Sequence, residues 1–154
     1  RLFVEKRGRE DRSVAQHLQA ERRAGLDRFD YYAGFSARVA RIRDDLVALL
    51  ARLKRDGARI AGYGAAAKGT ILLNFAGIGR DMLEFVADRN VHKQGRYMPG
   101  VRLPIVAPQR ILEAQPDYLL ILPWNFKDEI MEQQAEYRRR GGRFIVPVPE
   151  PVVI

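Results

Sequence analysis

Gly62-Tyr63-Gly64-Ala65-Ala66-Ala67-Lys68-Gly69 is the stretch on which the reading of this chain turns. The short apolar run Arg59–Tyr63 enters it, and Lys68–Ala76, with Ile71, Leu72 and Phe75 apolar, leaves it as a helical pattern. A strand passing through Gly-x-Gly-x-x-Ala into a helix is the dinucleotide-binding fingerprint, here with alanine in third place. Each small residue has a physical task. Gly62 lets the chain turn sharply. Gly64 leaves room for a diphosphate against the backbone, and Ala67 lets the helix pack close to the sheet. The unpaired N–H groups at the helix start face an anion, helped by the helix dipole, and the diphosphate is expected on residues 64–69, Ala65 and Ala66 included. Lys68, followed by Gly69, adds a full positive charge that a plain dinucleotide turn does not need. The alternative is that the small residues serve tight strand–helix packing alone.

Outward from this turn, strands and helices alternate. Leu83–Ala87 reads as a second strand ending in Asp88, and Leu103–Val106 as a third. Pro108–Ala114 is a short helix, Tyr118–Leu122 a strongly apolar fourth strand, and Asp128–Arg140 a helix closed by Gly141-Gly142. Arg143–Val146 is a fifth strand before a Pro147-Val148-Pro149-Glu150-Pro151 tail. Near-continuous apolar strands separated by helices predict an α/β fold, a Rossmann-like parallel sheet of about five strands covered on both faces. Right-handed crossovers give the order 3-2-1-4-5.

Upstream, residues 9–25 predict a helix with Ser13 as N-cap and Gly25 as its stop. A longer helix runs from Asp27 to Gly57. Its Phe35, Val39, Ile42, Leu46, Leu49 and Leu53 share one face, which is expected to be buried. The expected division is residues 1–57 as N-terminal helices and linker, and 58–154 as the nucleotide-binding module. The opening Leu2-Phe3-Val4, with no initiating Met, reads like the end of a strand and suggests a piece of a longer protein.

Composition narrows the function. The net charge is +8, with 15 basic against 9 acidic residues in 1–60. Acids and bases interleave there, the pattern of a solvated helix face rather than a nucleic-acid patch. No apolar run is long enough for a membrane span, and no signal peptide opens the chain. The absence of cysteine removes disulfides, thiolate nucleophiles and Cys-based zinc sites, and fits a cytoplasmic protein. With two histidines and no acid–base pair or nucleophile elbow, no catalytic set emerges.

Several residues gather at the carboxyl ends of the predicted strands, where open α/β sheets bind ligands. Asp88, 24 positions after Gly64, suits a ribose-accepting carboxylate or, alternatively, a loop cap. The loop Asn90–Gly100 is rich in donors; Lys93 and Arg96 suit phosphate, and Gln94 sits between them. Trp124 can stack on a base or sugar, and Asn125 can read a polar edge. His17 reads as a surface residue, whereas His92 is open to either reading.

These stretches, together with Leu72-Leu73-Asn74, Asp88-Arg89-Asn90, Lys93–Gly100, Leu122–Asn125, Lys127–Ile130 and Phe144–Glu150, resemble the C-terminal domain of sugar C-methyltransferases. The resemblance runs over nearly the whole chain and adds Asn74 to the expected contacts. It implies an S-adenosylmethionine-dependent enzyme acting on a nucleoside-diphosphate-linked deoxysugar. The cofactor would sit in a central domain and zinc in an N-terminal one, both outside this chain. It also implies that this domain helps bind the nucleotide-sugar while the base for methyl transfer comes from elsewhere in the polypeptide. Two other functions fit the residues: an independent NAD- or CoA-type binding protein, and a scaffold that binds nothing and packs through its helical face.

Overall fold

In the computed structural model, which describes Lys6 and residues 11–154, the chain divides into two compact units, Arg1–Val39 and Ala40–Ile154. The reading of Leu2-Phe3-Val4 and the first two residues of the predicted 9–25 helix lie outside the described residues.

In the first unit, α1 spans Arg12–Ala24. Its N-cap is Asp11, whose carboxylate accepts from the Ser13 N–H at 2.9 Å. Ser13 therefore supplies a donor inside the first turn and is not the cap. Gly25 closes the helix in the left-handed region at φ 78°. The predicted helix from Asp27 is in fact two. A short α2 (Phe29–Ala33) stops at Gly34, and α3 (Phe35–Arg55) starts after it. Glycine is where a helix is most cheaply interrupted. The expected buried stripe holds only in part. Leu46, Leu49, Leu50 and Leu53 are buried, Val39 and Ile42 half-buried, but Phe35 is 58% exposed. Periodicity says which side chains share a face; it does not say how far along that face a neighbour reaches.

The second unit is a single sheet of β1 (Ile60–Tyr63), β2 (Val86–Ala87), β3 (Ile105–Val106), β4 (Tyr118–Ile121), β5 (Arg143–Val146) and β6 (Val152–Val153). Its order is β3-β2-β1-β4-β5-β6. The first five strands are parallel, in the order expected. The sixth is an addition: after the proline-rich tail, β6 returns antiparallel on β5. Phe144 and Ile154 there exchange both backbone hydrogen bonds, at 3.0 and 2.8 Å.

Every residue of β1 and β4 is buried, because both faces are covered. On one face Ile60, Leu120 and Ile145 pack with Leu46 and Leu50 of α3 and with Leu73 of α4 (Ala67–Ala76). On the other, Ala61, Leu119, Ile121 and Phe144 pack with Ile111 of α5 (Gln109–Ala114), Ile130 of α6 (Lys127–Gln133) and Tyr137 of α7 (Ala135–Arg139). The predicted helix 128–140 is thus broken at Gln134, where no glycine or proline marks a break. The crossover side changes between β1 and β4: α4 leaves to one face, α6 to the other. That reversal opens the ligand crevice of doubly wound sheets at the carboxyl ends of these two strands.

Candidate functional site at the switch point

β1 ends at Tyr63, and Gly64 reverses the chain at φ 90° while donating to Ala87 O at 2.7 Å. A side chain on Gly64 would overlap the ring of Pro123, so this glycine lets the loop after β4 close against the turn. Close helix–sheet packing belongs to Gly69, which is buried and whose added Cβ would lie 2.7 Å from the Cβ of Leu122. Ala67, expected in that role, is exposed. The packing contact thus falls two residues later than the fingerprint predicts, because the helix starts at Ala67 and its sheet-facing side comes later in the turn.

Ala66 is the N-cap of α4, with extended backbone (φ −95°, ψ 160°) and no side chain able to cap. The first backbone bond of the helix is Thr70 N–H to Ala66 O at 3.0 Å. The N–H groups of Ala67, Lys68 and Gly69 precede it and find no partner among the described residues. A serine or aspartate at the cap would satisfy one of them. Left open, they carry the positive end of the helix dipole and suit an anion. Lys68, exposed beside them, donates to Asn125 Oδ1 at 2.9 Å and lies over the Trp124 ring at 5.5 Å. Trp124 and Asn125 belong to the 3-10 turn Trp124–Phe126 that follows β4. So Lys68 bridges the turns after β1 and β4 across the crevice.

Asp88 also reaches the turn. Its Oδ2 accepts from Ala65 N–H and its Oδ1 from Asn90 N–H, both at 2.7 Å. Lys93 Nζ donates to Ala65 O at 2.7 Å and stands 3.6 Å from the Asp88 carboxylate. Gln94 Nε2 donates to Asp88 O at 2.9 Å. The glycine turn, Asp88, Lys93, Gln94, Trp124 and Asn125 therefore converge. Two expected residues stand apart. Asn74, two helical turns beyond Ala67, donates to Thr70 O and Pro99 O and holds the Pro99-Gly100 bend. Arg96 lies where the loop runs back along β3, its backbone O accepting from Ile105 N–H, its side chain exposed. That loop, expected to have no strand of its own, carries a single antiparallel bridge, Tyr97 to Pro104.

One part of the site had no sequence signal. On the α6 side of the turn, a cavity of about 280 Å³ is lined by Tyr63, Asp88, Arg89, Phe126, Glu129 and Gln133. A second of about 510 Å³ shares Tyr63, Arg89 and Gln133 with it. The Tyr63 hydroxyl donates to Gln133 Oε1 at 3.3 Å, and Gln133 Nε2 donates to Glu129 at 2.7 Å. Burial raises the Tyr63 phenol above its ordinary range, so it is a neutral donor. Phe126 is exposed there, with Arg89 at the rim. Nothing in the local spacing of these residues announces a groove; β1, β2 and α6 form it only once assembled. Among the described residues no group of His, Asp or Glu side chains is placed to hold a metal ion, and no helix is long and apolar enough to cross a membrane.

The fold and the turn define a Rossmann-like α/β module with its small-residue loop at the sheet's switch point. More particularly, the chain belongs to the family of C-methyltransferase C-terminal domains, which matches residues 1–149. It is similar to the C-methyltransferase NovU of Streptomyces niveus, with 42% identity over 142 residues. That alignment takes in 92% of this chain and 34% of NovU, so the chain spans about a third of its curated relative. The resemblance read from the motifs is met.

Proposed function

We propose that this domain anchors a nucleoside-diphosphate-linked keto-deoxysugar for an S-adenosylmethionine-dependent C-methyltransferase. The observation that carries the reading is the uncapped N-terminus of α4. Three open N–H groups and the Lys68 ammonium stand together at the switch point of a methyltransferase-family domain. The diphosphate sits on residues 64–69, with the Lys68 ammonium neutralising part of its charge. The nucleoside extends past Gly64 into the groove beside Tyr63, Arg89 and Phe126. Trp124 and Asn125 flank the sugar-bearing side. Methyl transfer requires a proton to be removed beside the keto group and the resulting carbanion to attack the cofactor methyl. The base for that step comes from the rest of the polypeptide, where the cofactor binds. This domain holds the substrate still, and such positioning can supply much of a rate enhancement.

The test is calorimetric titration of the full-length protein with deoxythymidine diphosphate and with NAD. The diphosphate should bind. Lys68→Met should weaken it by roughly 10- to 100-fold, the worth of a charge-assisted hydrogen bond. Unchanged affinity in the folded variant would reject the cradle. A response to NAD alone would move the domain to the dinucleotide binders.

A further inference from the structure

We infer that Asp88 and Lys93 serve the diphosphate without touching it: they clamp the two peptide groups on either side of Ala65 and thereby aim the open N–H groups of α4. The inference rests on the anchoring reading above. Asp88 holds the N–H of Ala65 and Lys93 holds its carbonyl oxygen, each at 2.7 Å. The same residue is thus gripped from both peptide planes by one carboxylate and one ammonium. Ala66 N–H turns back to Gly64 O at 2.8 Å, which leaves the chain between β1 and α4 no loose peptide before Ala67.

The chemistry of Asp88 argues against direct ribose recognition. Each oxygen already accepts a backbone N–H, and the side chain is only 13% exposed. A carboxylate that receives ribose hydroxyls has to present a free edge. The charges point the same way. Lys93 stands 3.6 Å from Asp88, so the pair is close to neutral as seen from the anion. Among the described residues Lys68 has no carboxylate partner; it donates to the neutral amide of Asn125 and keeps its full charge for a ligand. Two lysines that look equivalent in sequence therefore take different parts, Lys68 as a contact and Lys93 as a positioning residue.

Inorganic pyrophosphate separates positioning from contact, because it carries the phosphates without the ribose. Full-length wild type, Asp88→Ala and Asp88→Asn are titrated with pyrophosphate and with deoxythymidine diphosphate. Positioning predicts that Asp88→Ala weakens both probes by the same factor, about tenfold or more. Asp88→Asn keeps an oxygen for Ala65 N–H and should recover most of that loss. Lys93→Met should lower affinity for both probes while leaving its dependence on salt close to that of wild type, whereas Lys68→Met should flatten it. Loss of deoxythymidine diphosphate affinity with pyrophosphate affinity intact would overturn the inference in favour of ribose contact. Unchanged affinity for both probes in folded Asp88→Ala would overturn it too. If Asp88→Ala does not fold, Asp88→Asn and Lys93→Met supply the same comparison. Wild-type protein that binds neither probe sinks the anchoring reading, and this inference with it.

Discussion

Replacing Ala66 by aspartate should make the free protein more stable and a poorer diphosphate binder. Ala66 already has the extended backbone of a capping residue, so the new side chain enters without a backbone change. Its carboxylate can accept from an N–H in the first turn of α4, where none is now partnered among the described residues. An N-cap gained in place of alanine contributes about 0.5–2 kcal/mol, and the negative charge at the positive end of the dipole adds to it. Binding moves the other way. The carboxylate occupies the donors proposed for the phosphate and repels it by roughly 1–4 kcal/mol at about 4 Å, depending on the effective dielectric. Affinity for pyrophosphate should therefore fall tenfold or more. Ala66→Ser, which caps without charge, should stabilise the protein with a smaller loss of affinity. Denaturant unfolding and calorimetric titration read the two effects separately. A stabilised Ala66→Asp protein that binds pyrophosphate as well as wild type would refute the placement of the anion at this helix. A destabilised one would refute the account of the cap.

Other substitutions probe the packing that shapes the site. Gly69→Ala gains about 1 kcal/mol of helix propensity but forces its Cβ to 2.7 Å from the Cβ of Leu122. Overpacking of this kind costs about 1–3 kcal/mol, so the melting temperature should fall; a rise would show that α4 can retreat freely. Gly64→Ala combines a φ of 90° with overlap on Pro123, and should cost about 2 kcal/mol or more, again read as the shift of an unfolding midpoint. In a spectrophotometric titration, Tyr63 and Tyr137 should ionise above the ordinary tyrosine range, because burial disfavours both phenolates. Their pKa is raised in the folded state, so the stability they contribute is intact below the unfolded value near 10. It is lost as pH climbs beyond that value. Ionisation of all six tyrosines together near pH 10 would contradict their burial.

Much of the fold could be read from residues in a row. β1, β4 and β5 are short apolar runs bounded by turn residues, and Gly25 and Gly57 stop helices in the left-handed backbone region that glycine alone enters cheaply. The breaks at Gly34 and Gln134 leave no such mark. A helix tolerates one glycine within an amphipathic pattern, and Gln134 is a fair helix former that marks no break locally. β6 was hidden as well, since two exposed valines after a proline-rich tail make no pattern until β5 offers an edge.

For the site, local chemistry and three-dimensional placement divide the credit. The glycine turn between a strand and a helix, and the lysine at the start of that helix, follow from the sequence alone. Those are properties of neighbours along the chain, and backbone sterics enforce them wherever the segment folds. Only the tertiary structure decided what each residue faces. It put Gly69 rather than Ala67 against Leu122 just after β4, joined Lys68 to Asn125 across 57 positions, and closed the Asp88–Lys93 clamp on Ala65. It also opened a groove between Tyr63 and Phe126 that no spacing announces. Contacts of that kind are set by strand order and crossover side, which bring distant segments to one edge of the sheet after the local pattern has had its say.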